Sequence, residues 1–264
     1  MRMSVPALVS LTTDFGNDDP FVGIMKGVIL ARDAAIRIVD LCHGIPAGAV
    51  GIGGLWLGLS WRWFPSGTVH IAVIDPGVGT DRPLLCLCGA DHRFLVPDNG
   101  LAAEVCRHLP VEAIYQVDWL AALGQPASHT FHGRDVFAPL AADLARGAVA
   151  ADELGPKIGQ CSVESPLPLP ERSAQAIVGQ VLLADHFGNL MTNIPAAALP
   201  DGTTTSIRAG GAAFGLVRTY AEAVPGQPVG LVNSFGLLEI ACRNGHAARL
   251  LGLGSGAPVR VGTD

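Results

Sequence analysis

The feature that most constrains this chain is the alternation of strand-like and helix-like segments over its first two thirds. Residues 7–12 form an apolar run short enough for a buried strand. Asp19-Pro20 reads as a helix start, with aspartate as the cap and proline in the first turn. Phe21, Met25, Val28, Ile29 and Arg32 follow at helical spacing. Residues 36–41 predict a second strand, 47–61 a second helix and 69–74 a third strand. Strands separated by helices pack as an α/β layer with a mainly parallel sheet. In such sheets ligands sit beyond the carboxyl ends of the strands, and Asp14 and Asp75 both fall just after predicted strands.

The texture changes after Ser165-Pro-Leu-Pro-Leu-Pro170, a stiff proline-rich segment. It divides an N-terminal α/β domain (residues 1–163) from a smaller C-terminal domain (173–264), with 164–172 as the linker. In the second domain, strand-like runs at 176–184, 204–208, 229–232, 237–242 and 259–261 are separated by glycine turns, as in a small β-barrel or sandwich.

Hydrophobic residues make up 49% of the chain and charged residues 15%, ample for a buried core and unlike a disordered protein. A net charge of −6 with 17 Lys and Arg argues against nucleic acid and against an anionic membrane surface, and suits a small cationic ligand. The most apolar stretch, residues 45–59, is glycine-rich and shorter than the ~20 residues a membrane span needs, so it reads as a core helix. Met1-Arg-Met-Ser-Val-Pro6 lacks the apolar core of a signal peptide. The six scattered cysteines (Cys42, Cys86, Cys88, Cys106, Cys161 and Cys242) read as free thiols of a cytoplasmic protein. Cys86 and Cys88 would share one strand face, and no second pair completes a zinc site. The histidines show no metal-ligand spacing, so neither metal nor cofactor is expected.

Several polar segments can carry chemistry. Asp14, in Thr-Asp-Phe-Gly, can accept hydrogen bonds from a ribose diol or serve as a turn aspartate. In Asp75-Pro-Gly-Val-Gly-Thr-Asp81-Arg82, two glycines allow a tight turn. The spacing is neither a Rossmann fingerprint nor a P-loop. Asp75 and Arg82 there form either a bracing ion pair or a pair that polarises water. His132, in Phe-His-Gly-Arg-Asp, precedes an apolar helical stretch, with Asp135 as candidate cap; a helix N-terminus lowers a histidine's pKa. Asp185 and Asn189 lie in a glycine turn, where Asn189 can read a base edge and Asp185 hold an ammonium. Tyr220 can stack on a base or cover the core. Ser234 and Asn244 sit in further turns.

The order of these segments, T-D-F-G, D-P-G-V-G-T-x-R, D-N-G, F-H-G-R-D, D-x-F-G-N-x-x-T-N and N-S-x-G-x-L-E-I-A, resembles the S-adenosylmethionine hydroxide adenosyltransferases, relatives of the fluorinating and chlorinating enzymes. The resemblance implies an α/β domain followed by a β-barrel domain, and a homotrimer with its sites at subunit interfaces. It implies hydrolysis of S-adenosyl-L-methionine to adenosine and L-methionine. Asp75, Arg82 and His132 match the trio that holds the water, which the halogenating relatives lack. Asp14 matches the ribose ligand, and Asn189 and Tyr220 the adenine contacts. Asp19, Asp185 and Ser234 match the methionine side, and Asn244 joins the substrate-binding set. Phe235, where the fluorinating enzyme has an arginine, and Gly48-Ala49 depart from the pattern. A halide-using enzyme and a non-catalytic S-adenosylmethionine or adenosine sensor are the alternatives.

Overall fold

The computed structural model describes residues 7–124, 128–173, 176–200 and 205–263. The amino-terminal Met1 to Pro6, and Thr204 at the head of one predicted strand, lie outside them. The chain divides into two compact units, Met1–Pro166 and Leu167–Asp264.

The first unit runs β1 (Leu8–Thr13), α1 (Phe21–Arg32), β2 (Arg37–Cys42), α2 (Val50–Ser60), β3 (Val69–Val73), β4 (Leu84–Gly89), β5 (His92–Pro97), α3 (Leu101–Cys106), β6 (Ala113–Gln116), α4 (Trp119–Leu123), α5 (Ala138–Ala145) and β7 (Lys157–Ile158). Its seven-stranded sheet has the order β2-β1-β3-β5-β4-β6-β7. Pairings β1–β2, β1–β3 and β3–β5 are parallel. Pairings β4–β5, β4–β6 and β6–β7 are antiparallel. The sheet is therefore mixed, not mainly parallel as the strand–helix rhythm predicts. The cause is local: Gly89 pairs with His92, and Ala90 and Asp91 turn the chain with φ of 50° and 61°. A two-residue turn of this hand makes a hairpin, with no crossover helix to keep the strands parallel.

Alternate strand residues face opposite layers. Val9, Leu11 and Ile71 pack with Met25 and Ile29 of α1 and Leu140 of α5. Ala72, Ile74 and Phe94 pack with Leu57 of α2 and Leu101 and Val105 of α3. Helices α2 and α3 approach closely because Gly54 has no side chain: a Cβ there would lie 2.7 Å from Glu104 Cβ. Helix α1 begins one residue later than its sequence suggests. Pro20 occupies the cap position with φ −76° and ψ −3°, and no side chain caps the helix, so Asp19 is not its cap.

The second unit contains β8 (Glu171–Arg172), β9 (Ala176–Ala184), β10 (Leu190–Pro195), β11 (Thr205–Ala209), β12 (Ala212–Gly215), β13 (Pro228–Val232), β14 (Leu237–Cys242), α6 (Ala247–Leu251) and β15 (Pro258–Thr263). The strand order is β12-β11-β15-β9-β10-β14-β13, with β8 on β9, and all these pairings are antiparallel. A bridge from Leu216 to Gly230 brings the two edges of the sheet together, so it nearly closes into a barrel. Val181, Leu190, Ile207, Leu238, Ile240 and Val259 fill its interior. Among the described residues, no helix is long and apolar enough to cross a membrane.

Candidate active site

Strands β1 and β3 run side by side and in parallel, so their carboxyl ends deliver Asp14 and Asp75 to one edge of the sheet. Asp14 Oδ2 accepts the Gly48 N–H at 2.8 Å, which ties the end of β1 to the start of α2. Thr13 beneath it is fully buried, with its Oγ1 2.8 Å from His43 Nδ1.

Asp75 is held from both sides. Its Oδ1 accepts from Arg82 Nε at 2.6 Å, and its Oδ2 accepts from Arg82 Nη2. The side chains of Asp75 and Arg82 are 2% and 9% exposed, so the pair is shielded from water. Arg82 Nη2 also lies 3.2 Å from His132 Nδ1. A guanidinium only donates, so that nitrogen of His132 carries the lone pair and the ring proton sits on Nε2. Burial, then the Arg82 charge, hold the His132 pKa below the ordinary histidine value. The imidazole is thus neutral at neutral pH. Arg82 Nη1 is buried and has no hydrogen-bond partner among the described residues.

The loop from Asp75 to Arg82 depends on Gly79. Its φ is +80°, and a Cβ there would stand 2.2 Å from the His129 carbonyl oxygen. His132 stands just before a wide helical turn, Gly133–Phe137, that leads into α5. Asp135 lies inside that turn and is not the cap. Its Oδ2 accepts the Ser128 N–H at 2.9 Å, and Arg134 grips both of its oxygens.

Asp14, Phe15, Gly48, Asp75, Phe131 and His132 line one cavity of about 180 Å³. Phe15, Phe21 and Phe131 pack edge-to-face there, with centroids 5.4–6.0 Å apart. The cavity has a carboxylate at one end, a charge-compensated donor cluster at the other and aromatic walls. That combination can hold a small molecule rich in hydroxyl groups while a water or hydroxide is fixed against it.

The second unit has its own open cavity of about 680 Å³, lined by Phe187, Asn189, Tyr220 and Asn244 among others. Asp185 shapes it from below: its Oδ1 accepts the N–H groups of Phe187 and Asn189, and its Oδ2 the Asn189 amide at 3.1 Å. Tyr220 donates its hydroxyl to Glu239 Oε1 at 2.6 Å. Burial, then that hydrogen bond, push the Tyr220 pKa up.

Glu239 escaped the sequence reading. It is 5% exposed, its Oε2 accepts from Asn233 Nδ2 at 3.4 Å, and burial raises its pKa. The signal was a charged residue inside the apolar run Leu237-Leu-Glu-Ile-Ala241. Asp19 and Ser234 are both exposed and lie outside the linings of these cavities.

Both units of the chain have relatives among known proteins. Residues 9–155 match the SAM hydroxide adenosyltransferase N-terminal domain and residues 179–260 its C-terminal domain. The chain belongs to the SAM hydroxide adenosyltransferase family. It is 37% identical to the (R)-S-adenosyl-L-methionine hydrolase of Salinispora tropica, over 96% of this chain and 97% of that one. It is 36% identical to the enzyme of the same name from Thermus thermophilus, over 96% and 98%. A fluorinase from an Actinoplanes species is more distant, at 29% over 96% and 97%. The solved structure of an uncharacterized conserved protein from Thermotoga maritima superposes with a TM-score of 0.87 at 28% identity, over 96% of this chain and 99% of that one.

Proposed function

We propose that this chain hydrolyses (R)-S-adenosyl-L-methionine to adenosine and L-methionine. The observation that carries the reading is the shielded Asp75–Arg82 pair joined to His132 on the wall of a cavity that also holds Asp14. The hydrolases named above, near 37% identity over almost the whole chain, support it.

Water oxygen bonds to ribose C5′ as the C5′–S bond breaks. The electron pair goes to sulfur, the sulfonium leaves as neutral methionine, and one proton is released. Because charge disperses in this displacement, a water-poor cavity favours it once the nucleophile is in line. Asp75 accepts two hydrogen bonds from a guanidinium, so both of its oxygens are already engaged. His132 has its lone pair turned to Arg82, so its free nitrogen is a donor. This supports a trio that fixes water or hydroxide by donation, rather than a histidine that strips its proton. Asp14 holds the ribose diol. Asn189, Tyr220 and Asn244 take the adenine side, and Asp19, Asp185 and Ser234 the methionine side. The working protein is a cytoplasmic homotrimer in which the N-terminal domain of one copy and the C-terminal domain of its neighbour share each substrate.

The test is chromatography of purified protein incubated with S-adenosyl-L-methionine, with and without chloride. Equal amounts of adenosine and methionine, independent of halide, are expected. A 5′-chloroadenosine product would move the assignment to halide chemistry, and bound but intact substrate would move it to a sensor.

A further inference from the structure

Behind the Asp75–Arg82–His132 cluster lies a second cavity, of about 340 Å³. Thr80, Arg82, Gln116, Trp119 and His129 contribute to its lining, and His132 is shared between it and the cavity that holds Asp14. His132 borders both spaces, and Arg82, whose Nη2 lies 3.2 Å from its ring, borders the rear one, so the pair stands as a partition between them. The front space is small, about 180 Å³, and a bound ribose would fill it. The rear space is nearly twice that volume and has hydroxyl, amide, imidazole and guanidinium groups on its wall.

One observation and one requirement of the chemistry tie the rear space to the reaction. First, Arg82 Nη1 is buried with no hydrogen-bond partner among the described residues. A buried guanidinium N–H left unpaired is costly, and a polar cavity of this size has room for the water that would satisfy it. Second, hydrolysis consumes a water and releases a proton at the face of C5′ opposite the sulfur. With substrate in the front cavity, that route is covered.

We infer that the rear cavity is the solvent side of the site, admitting the reacting water past Arg82 and His132 and carrying away the proton it loses. The inference rests on the hydrolase reading above. The balance is simple: one O–C5′ bond forms, one C5′–S bond breaks with its pair going to sulfur, and one O–H proton passes to water behind the partition. Gln116 and His129 line the rear cavity and not the front one, and both are exposed, so either can be enlarged to fill it.

The experiment fills the rear cavity. Gln116→Trp and His129→Trp should each lower kcat about tenfold or more, while KM for S-adenosyl-L-methionine and the affinity for adenosine stay within about twofold. Gln116→Ala, which enlarges the space, should keep wild-type kcat. Filled variants that bind adenosine normally and turn over at the wild-type rate would overturn the inference. A high-resolution crystal structure of the wild type with adenosine is the second readout, independent of how the variants fold. Ordered water on Arg82 Nη1 in the rear cavity is expected, and a dry cavity would overturn the inference. Wild-type protein that releases no adenosine would instead remove the hydrolase reading itself, which separates the two failures.

Discussion

The two units carry carboxylates in opposite electrostatic states. In the first, Asp75 is buried against a guanidinium that grips both of its oxygens, so its charge is compensated before any ligand arrives. In the second, Glu239 is just as buried, but its partners are the neutral Tyr220 hydroxyl and the Asn233 amide. Asp185, close enough to push the pKa values of both Tyr220 and Glu239 upward, adds negative charge to the same neighbourhood. The first arrangement is built to hold geometry through a reaction. The second leaves negative potential in place for a cation to relieve, and the proposed substrate carries both a sulfonium and an ammonium.

Three measurements would break or sharpen this contrast. The largest effect is expected from Asp75→Asn, which leaves Arg82 without its counter-charge. Turnover should fall about 10²–10⁴-fold while adenosine affinity changes little. Steady-state kinetics with calorimetry of adenosine binding reads both, and unchanged turnover would strip the trio of its role.

Next comes Glu239→Gln, which keeps a hydrogen-bonding side chain beside Tyr220 and Asn233 but removes the charge. S-adenosyl-L-methionine should bind about tenfold more weakly, about 1.4 kcal/mol, with adenosine affinity unchanged. Equal weakening of the charged and neutral ligands would make Glu239 a brace for Tyr220 and nothing more.

The third effect is in stability against pH, and it has opposite signs in the two units. His70 is fully buried between Ser10 and His92, and burial, then the His92 charge, lower its pKa to about 3. His132 shifts in the same direction. The unfolded chain therefore binds protons before the folded one, and the first unit loses stability as pH falls from about 6.5 toward about 3. Glu239 has a raised pKa, so its contribution is present below its ordinary value of 4.5 and is lost as pH rises through its folded value. Hydrogen exchange followed along the chain should show first-unit amides losing protection sooner on acidification. Simultaneous loss in both units would refute the assignment.

Much of this was legible in the sequence. The first three strands and two helices follow from apolar spacing, and the edge where Asp14 and Asp75 meet follows from their places after β1 and β3. The antiparallel half of the first sheet was not legible. Its hairpin turns on Ala90 and Asp91, with neither the asparagine nor the glycine that usually marks such a turn. Asp135 misled because residues just before an apolar helical stretch read as caps, whereas the wide turn at Gly133–Phe137 draws this one inside the helical stretch. Glu239 was hidden because a strand of a nearly closed sheet can turn one polar side chain toward a buried tyrosine, and spacing does not record that.

The buried Asp75–Arg82 pair also shapes how this chain can change over generations. Replacing either partner alone leaves the other as an uncompensated charge, which costs about 3–5 kcal/mol in buried pairs. That is a large share of a domain's stability. Replacing both together with neutral residues of similar volume escapes most of that penalty. The two positions are therefore epistatic, and a lineage that swaps water for another nucleophile must cross a valley at one of them or leap both at once.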